Sequence, residues 1–157
     1  MSQGLFSTQN CHWVPLIGPV DETGGKTSVP FALKMWAHAS IYIAIGVSAA
    51  APGAITLNAC TDATGVTNQA IPFNVFKCET ANSDVLGPKV VCAAAGFTPP
   101  ATDNIFYVIE IDAQALPQGY PYLQLVEADG ANSVINAAVA LLSGGRQTCD
   151  QSATVLL

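Results

Sequence analysis

The first 40 residues contain the side chains best suited to nucleophilic or metal chemistry, namely Cys11, His12 and His38. A cysteine hydrolase needs a thiol in contact with an imidazole and an oxyanion hole beside them. Adjacent positions in the sequence do not by themselves bring the Cys11 thiol to the His12 ring. The prolines and glycines around His12 indicate irregular backbone, which positions catalytic groups poorly. We therefore favour a structural role for His12, and the spacing of the three residues indicates no shared metal site.

A second pair of reactive side chains is Glu110 and Asp112, which lie two residues apart in an alternating run. On a strand they share one face, with their Cα atoms about 6.6 Å apart. Two carboxylates can act as acid and base in glycoside hydrolysis. No group of aromatic residues indicates a sugar-binding cleft around them, so we expect the pair to lie on a solvated strand edge.

Two turns share part of their sequence with ligand-binding loops. Gly24-Gly25-Lys26-Thr27 ends like a phosphate-binding loop, but Val20 stands where that motif has its first glycine, and a strand is predicted to follow. Thr61-Asp62-Ala63-Thr64 offers one carboxylate, whereas calcium loops supply several oxygen ligands. We interpret this second segment as a turn capped by its own side chains.

The five cysteines are too widely spaced for a zinc or redox motif. In a reducing compartment they are expected to be small hydrophobic residues or free thiols. One disulfide remains compatible with the sequence, and the odd number leaves at least one cysteine outside any pair. The cysteines are Cys11, Cys60, Cys78, Cys92 and Cys149. Together with the preceding observations, this predicts a protein that is not an enzyme, with no catalytic, cofactor-binding or metal-binding residues.

Apolar residues at every second position predict that strands make up most of the chain. The clearest alternation is Ile105, Tyr107, Ile109 and Ile111, which is typical of a strand with one buried face. Pro72 interrupts another run and predicts an edge strand or a bulge. The alanine-rich segment 133–143 has helical propensity, but a strand is favoured because Gly144-Gly145 follows it. Strands are predicted over residues 29–36, 40–48, 54–60, 70–78, 89–95, 104–113, 122–128 and 133–143.

Seven to nine strands separated by short turns predict an all-β, single-domain β-sandwich or jelly-roll-like barrel with extended N- and C-terminal arms. We place an irregular N-terminal arm at residues 1–26, the β-sandwich domain at 27–146 and a C-terminal tail at 147–157. The predicted core consists of the inward-facing positions of the strands. These are Phe31, Leu33, Ile41, Ile43, Ile45, Leu57, Phe73, Tyr107, Ile109, Ile111, Leu123 and Leu125.

Charge is scarce in this chain, since charged residues make up 10% of it and the net charge is −6. Typical domains have about 25% charged residues, so we expect partner chains to cover much of this neutral surface. No cluster of basic residues favours nucleic acid, and no apolar run is long enough to span a membrane. The N-terminus does not have the pattern of a signal peptide, which leads us to expect synthesis and folding in a cytoplasm.

Both termini carry apolar side chains without a periodic pattern. We predict that they are interface residues of assembly arms, although folding back onto the chain's own sandwich is an equal alternative. The predicted interface residues are Phe6, Trp13, Leu16, Ile17, Val155, Leu156 and Leu157.

From about Gly25 to Arg146 the order of strands and turns resembles structural proteins of tailed-bacteriophage virions that are encoded near the major capsid protein. The segments that carry the resemblance are Trp36-Ala37-His38-Ala39-Ser40-Ile41, Ile55-Thr56-Leu57, Asp62-Ala63-Thr64-Gly65, Ala70-Ile71-Pro72-Phe73, Asp103 to Ala113 and Val139-Ala140-Leu141-Leu142-Ser143.

The resemblance implies a capsid decoration (cement) protein that binds and stabilises the head lattice and is located in the virion. Its implied partners are the major capsid protein or other virion proteins, and further copies of itself in a homo-oligomer, a trimer by analogy. A tail or head–tail connector subunit is the runner-up. A carbohydrate-binding β-sandwich module and, last, an unrecognised hydrolase remain as alternatives from other classes.

Overall fold

The computed structural model describes residues 7–145 and 154–155 of the chain. Strands dominate this part, with one short helix, α1 (Ser7–Asn10), and one 3-10 turn at Ala113–Ala115. The strands are β1 (His12–Asp21), β2 (Lys26–Thr27), β3 (Phe31–Ala32), β4 (Trp36–Ser48), β5 (Ile55–Cys60), β6 (Asn68–Ala70), β7 (Phe73–Cys78), β8 (Val90–Cys92), β9 (Ile105–Asp112), β10 (Tyr122–Glu127) and β11 (Val134–Gly145).

These strands form two antiparallel sheets that pack face to face, which confirms the predicted all-β sandwich. The larger sheet has the order β1-β11-β4-β9-β7-β8. The smaller sheet has the order β2-β10-β5-β6, and β3 also pairs with β10. Within the described part of the chain, no helix is long and apolar enough to cross a membrane.

The core between the two sheets consists of the residues that the alternation predicts. All twelve predicted core residues are buried, and none is more than 4% exposed. Ile41, Ile43 and Ile45 on β4 lie beside Ile109, Tyr107 and Ile105 on β9, their register partners. The predicted strand over 133–143 is also confirmed, since β11 pairs with β1 on one side and with β4 on the other.

The predicted strand over residues 29–36 is wrong in its extent. Only Phe31–Ala32 is a strand, because the chain turns after it and Trp36 begins β4 in the other sheet. A hydrogen bond from the Trp36 amide to the Leu33 carbonyl closes this turn. Val29 is consequently 45% exposed instead of facing the core. Val47 continues the alternation of Ile41, Ile43 and Ile45 but is exposed, because the β4–β11 register shifts next to it.

Pro72 marks the point at which the chain crosses from one sheet to the other. The strand before it, β6, pairs with β5 in the smaller sheet, and the strand after it, β7, pairs with β8 and β9 in the larger sheet. The flanking Ile71 and Phe73 are both buried. The single strand predicted over 70–78 is therefore two strands, since a proline cannot donate a ladder hydrogen bond at the crossover.

The expectation of an irregular segment through residue 26 is wrong for residues 12–21. They form β1, an edge strand paired with β11. The register shifts between Pro15 and Ile17 and again between Ile17 and Val20. These irregularities accommodate Pro15 and Pro19, because prolines are tolerated on edge strands and at bulges.

We predict that replacing Ile43 or Ile109 by Ala will lower the free energy of unfolding by about 2–5 kcal/mol, because each side chain is fully buried where two strands meet. Chemical denaturation measures this change. The matched control is Val66→Ala at a position that is 83% exposed, which should change stability by less than about 0.5 kcal/mol. Equal effects of the core and surface variants would contradict the assignment of the buried face.

Candidate functional site

The outer face of the larger sheet carries a cluster of polar side chains where β4 and β9 pair. The register sets His38 opposite Asp112 and Ser40 opposite Glu110, all on the solvent side. The His38 ring lies between the two carboxylates, with Nε2 2.5 Å from Glu110 and Nδ1 2.7 Å from Asp112. The Ser40 hydroxyl donates to the same Glu110 oxygen over 2.7 Å.

This arrangement favours a protonated histidine. Partial burial lowers the pKa of His38, but the hydrogen bonds and charges of Asp112 and Glu110 outweigh it, so the pKa is raised overall. Both ring nitrogens face carboxylate oxygens, which makes each of them a donor when the ring is charged. The charged His38 ring therefore connects β4 to β9 through its contacts with Glu110 and Asp112. Neither ring nitrogen is left to contact a substrate.

Glu110 and Asp112 do share one face, as predicted, but their strand is not at an edge. β9 lies between β4 and β7 in the interior of the larger sheet. The expectation of a strand edge is wrong because β9 pairs with β4 on one side and with β7 on the other. A shallow pocket beside the two carboxylates is lined by Phe73 and Val91, among others.

Next to the polar cluster, a row of uncharged side chains crosses the outer face of the larger sheet. Register pairing aligns one position from each of five strands. We call this set the outer row, and its members are Pro15, Val139, Tyr42, Val108 and Phe76. Tyr42 is 42% exposed and its ring packs against Phe106 at a centroid distance of 5.4 Å. The loop at residues 82–84 lies beside this face and flanks a groove over Tyr42 and Phe106.

The structure places the predicted interface residues in different environments. Trp13 is 46% exposed and lies opposite Leu141, one row away from the outer row. Ile17 is buried in the core, and Leu16 and Val155 pack against that core. The Ala32 amide donates to the Thr154 carbonyl, so this part of the tail lies on the chain's own sandwich. Phe6, Leu156 and Leu157 lie outside the described residues.

The other candidate residues have structural surroundings. The His12 ring stacks on Trp36 at a centroid distance of 5.9 Å. Asp62 accepts hydrogen bonds from the amide and hydroxyl of Thr64, which confirms the capped turn and lowers the Asp62 pKa. Gly24-Gly25 forms the turn between β1 and β2, where both glycines have positive φ angles. Cys60, Cys78 and Cys92 are buried free thiols, and Cys149 lies outside the described residues.

A second polar cluster, which the sequence did not predict, is buried between the two sheets. Glu22 and Glu127 are each 1% exposed and Asn136 is 3% exposed. The Asn136 amide nitrogen donates to Glu22 Oε2 over 2.6 Å and also to Glu127 Oε2. We call these three residues the acid–amide cluster. Glu22 follows β1, Glu127 ends β10 and Asn136 lies on β11, so the cluster joins the two sheets.

Burial controls the ionisation of both carboxyl groups in this cluster. Loss of hydration and the charge of Glu22 raise the pKa of Glu127 to about 7. Loss of hydration also raises the pKa of Glu22, against the hydrogen bonds from Gly53 and Asn136, and nearby Asp21 and Asp129 add to the rise. No lysine or arginine in the described residues forms an ion pair with either group.

Three oxygen atoms in the acid–amide cluster are buried without a hydrogen-bond partner, namely Glu22 Oε1, Glu127 Oε1 and Asn136 Oδ1. In the described part of the chain, no three His, Cys, Asp or Glu side chains are placed together to hold a metal. The acid–amide cluster has two carboxyl groups, and its third oxygen donor is the Asn136 amide. Glu22 lies more than 100 positions from Glu127 and Asn136 in the sequence, and no local motif marks the three residues.

Comparison with solved structures includes a weak similarity to a prophage-derived protein. No family model matches the sequence, and no curated protein matches it either. The crystal structure of the SPBc2 prophage-derived protein YomS aligns with a TM-score of 0.43 and 14% sequence identity. The alignment covers 83% of this chain and 94% of that one.

We predict that Glu127 makes the folded protein less stable as the pH rises. Its folded-state pKa of about 7 lies above the ordinary value of 4.5, so the folded chain holds a proton that the unfolded chain releases. The stability from this group is present below about pH 4.5 and is lost as the pH rises to about 7. Without added metal, the free energy of unfolding of the wild-type protein should fall by about 3 kcal/mol over that range. The Glu127→Gln variant should not show this fall.

Chemical denaturation across this pH range measures the effect as the difference between wild-type and variant. Asp84→Asn, at an exposed position, is the control and should follow the wild-type curve. Parallel curves for wild-type and Glu127→Gln would show that Glu127 does not titrate in this way.

Proposed function

We propose that this protein is a structural component of a bacteriophage virion, a capsid decoration protein that binds and stabilises the head lattice. The observation that carries the proposal is the outer row, an uncharged strip across five strands of the larger sheet. Pro15 and Tyr42 are exposed and the other three residues are partly exposed, and an uncharged strip of this kind favours burial against another protein chain. The resemblance of the strand and turn order to virion proteins encoded near the major capsid protein supports the same role.

The outer row is the surface that we assign to contacts between copies of the chain. It contains no charge, so a second copy meets it without burying an unpaired ion. Exposed Trp13 and Tyr42 supply the large aromatic side chains that dominate protein interfaces. Ile17 is buried in its own core, so of the predicted terminal contacts on β1 only Trp13 is well placed to reach a partner.

We expect the purified protein to form a homo-oligomer, a trimer by analogy with decoration proteins, with each contact burying at least about 1,200 Å². Size-exclusion chromatography with light scattering measures the mass. Tyr42→Lys and Val139→Lys should each shift the protein to monomer, because a lysine ammonium in the outer row would be desolvated at the contact. Val66→Lys, on an exposed loop of the smaller sheet, is the matched control and should leave the oligomer intact.

The place in the particle is tested by mass spectrometry of virions of the phage that encodes this chain. A copy number comparable with that of the major capsid protein is expected. A few copies per particle would favour the tail or connector subunit instead, and absence from virions would refute the structural role. A monomer that does not bind purified heads but binds glycans, and loses that binding in Tyr42→Lys, would favour the carbohydrate-binding alternative.

A further inference from the structure

The acid–amide cluster collects more oxygen donors than its hydrogen bonds use. Each carboxyl group places one oxygen on the Asn136 nitrogen and leaves its other oxygen buried without a partner. The amide oxygen of Asn136 is unpartnered as well. Because the two carboxyl groups converge on one nitrogen, all three unpartnered oxygens belong to groups that meet at the Asn136 amide. Such atoms are costly to bury unless a ligand satisfies them.

The surrounding charge is negative. Asp21 and Asp129 lie close enough to raise the Glu22 pKa by their charges, so four carboxyl groups occupy this corner of the sandwich. Lys26 is the register partner of Glu127, yet it makes no ion pair with it. Two buried carboxylates would carry a charge of −2, which a single divalent cation would balance.

We propose that Glu22, Glu127 and Asn136 form a calcium-binding site that joins the two sheets of the sandwich. All three donors are hard oxygen atoms of the type that calcium prefers. Turning the Asn136 amide over exchanges its nitrogen and oxygen, which brings the amide oxygen to the two carboxylates. Water and backbone carbonyls complete the six to eight oxygen ligands that calcium takes.

The backbone around the cluster is packed tightly enough to hold such a site in place. The Gly53 amide donates to Glu22, and a Cβ at Gly53 would lie 1.8 Å from the Ala128 carbonyl oxygen. A Cβ at Gly130 would lie 2.7 Å from the Gly53 nitrogen. Glycines therefore let two loops close over the cluster, while exposed Asp129 beside it attracts cations from solvent.

Thermal unfolding with calcium chloride or with a chelator tests the site. At about pH 8, a hundredfold excess of calcium over its Kd should raise the Tm of the wild-type protein by about 5–10 °C relative to the chelated sample. At about pH 5 the rise should be much smaller, because a proton on Glu127 competes with calcium for that carboxyl group. Isothermal titration calorimetry should give one calcium per chain.

Glu127→Gln and Glu22→Gln keep the shape of the side chains and should each remove the calcium response while the protein still folds. Asp62→Asn, in the capped turn of another loop, is the matched control and should respond as the wild type does. The proposal is overturned if calcium leaves the wild-type Tm unchanged, or if magnesium alone raises it. It is also overturned if Glu127→Gln and Glu22→Gln respond like the wild type, which would point to Asp21 and Asp129 on the surface.

Discussion

The pairing of β4 with β9 is the interaction on which both faces of the larger sheet depend. Eight residue pairs run from His38–Asp112 to Ile45–Ile105 without a register shift. Because side chains alternate, this one register buries the isoleucines of β4 and sets His38 between Glu110 and Asp112 outside. A slip by one residue would exchange the two faces and place a charged triad in the core. The β4–β9 register therefore determines both the buried face and the exposed face of this sheet.

The sequence predicts the core where one face of a strand is buried along its whole length. Period-two alternation in β4, β5, β9 and β10 identifies nine of the twelve predicted core residues, and all nine are buried. It fails where the strand geometry itself changes. Strand β1 is not predicted because it contains Pro15, Gly18 and Pro19. Such residues break an interior strand, but an edge strand with bulges tolerates them. Val47 is exposed for a related reason, since the register shift beside it ends the alternation of buried and exposed residues in β4.

The two polar clusters differ in how much of each the sequence reveals. Glu110 and Asp112 are recognisable as neighbours on one face, but His38 joins them only through the register of β4 against β9, more than 70 residues away. The acid–amide cluster leaves a weaker signal. The alternation of β10 and β11 puts Glu127 and Asn136 on the inward faces of their strands, but a polar residue there does not show which other residue it meets. Glu22 lies outside any strand, and its place in the cluster follows from the turn after β1.

Strand β11 contributes a residue to each of the two sites to which we assign functions, the buried acid–amide cluster and the outer row. Its inward side carries Asn136, and its outward side carries Val139 in the outer row. β11 also pairs with β1 and β4, so an ion held by Asn136 would restrain the strand that presents Val139 to a neighbouring chain. Such a coupling would act through rigidity of the sheet, since both residues are fixed by the same ladder of hydrogen bonds. Two of the few carboxylates in this chain would thus act inside the fold. A bound cation would offset the repulsion between them and would link the two sheets.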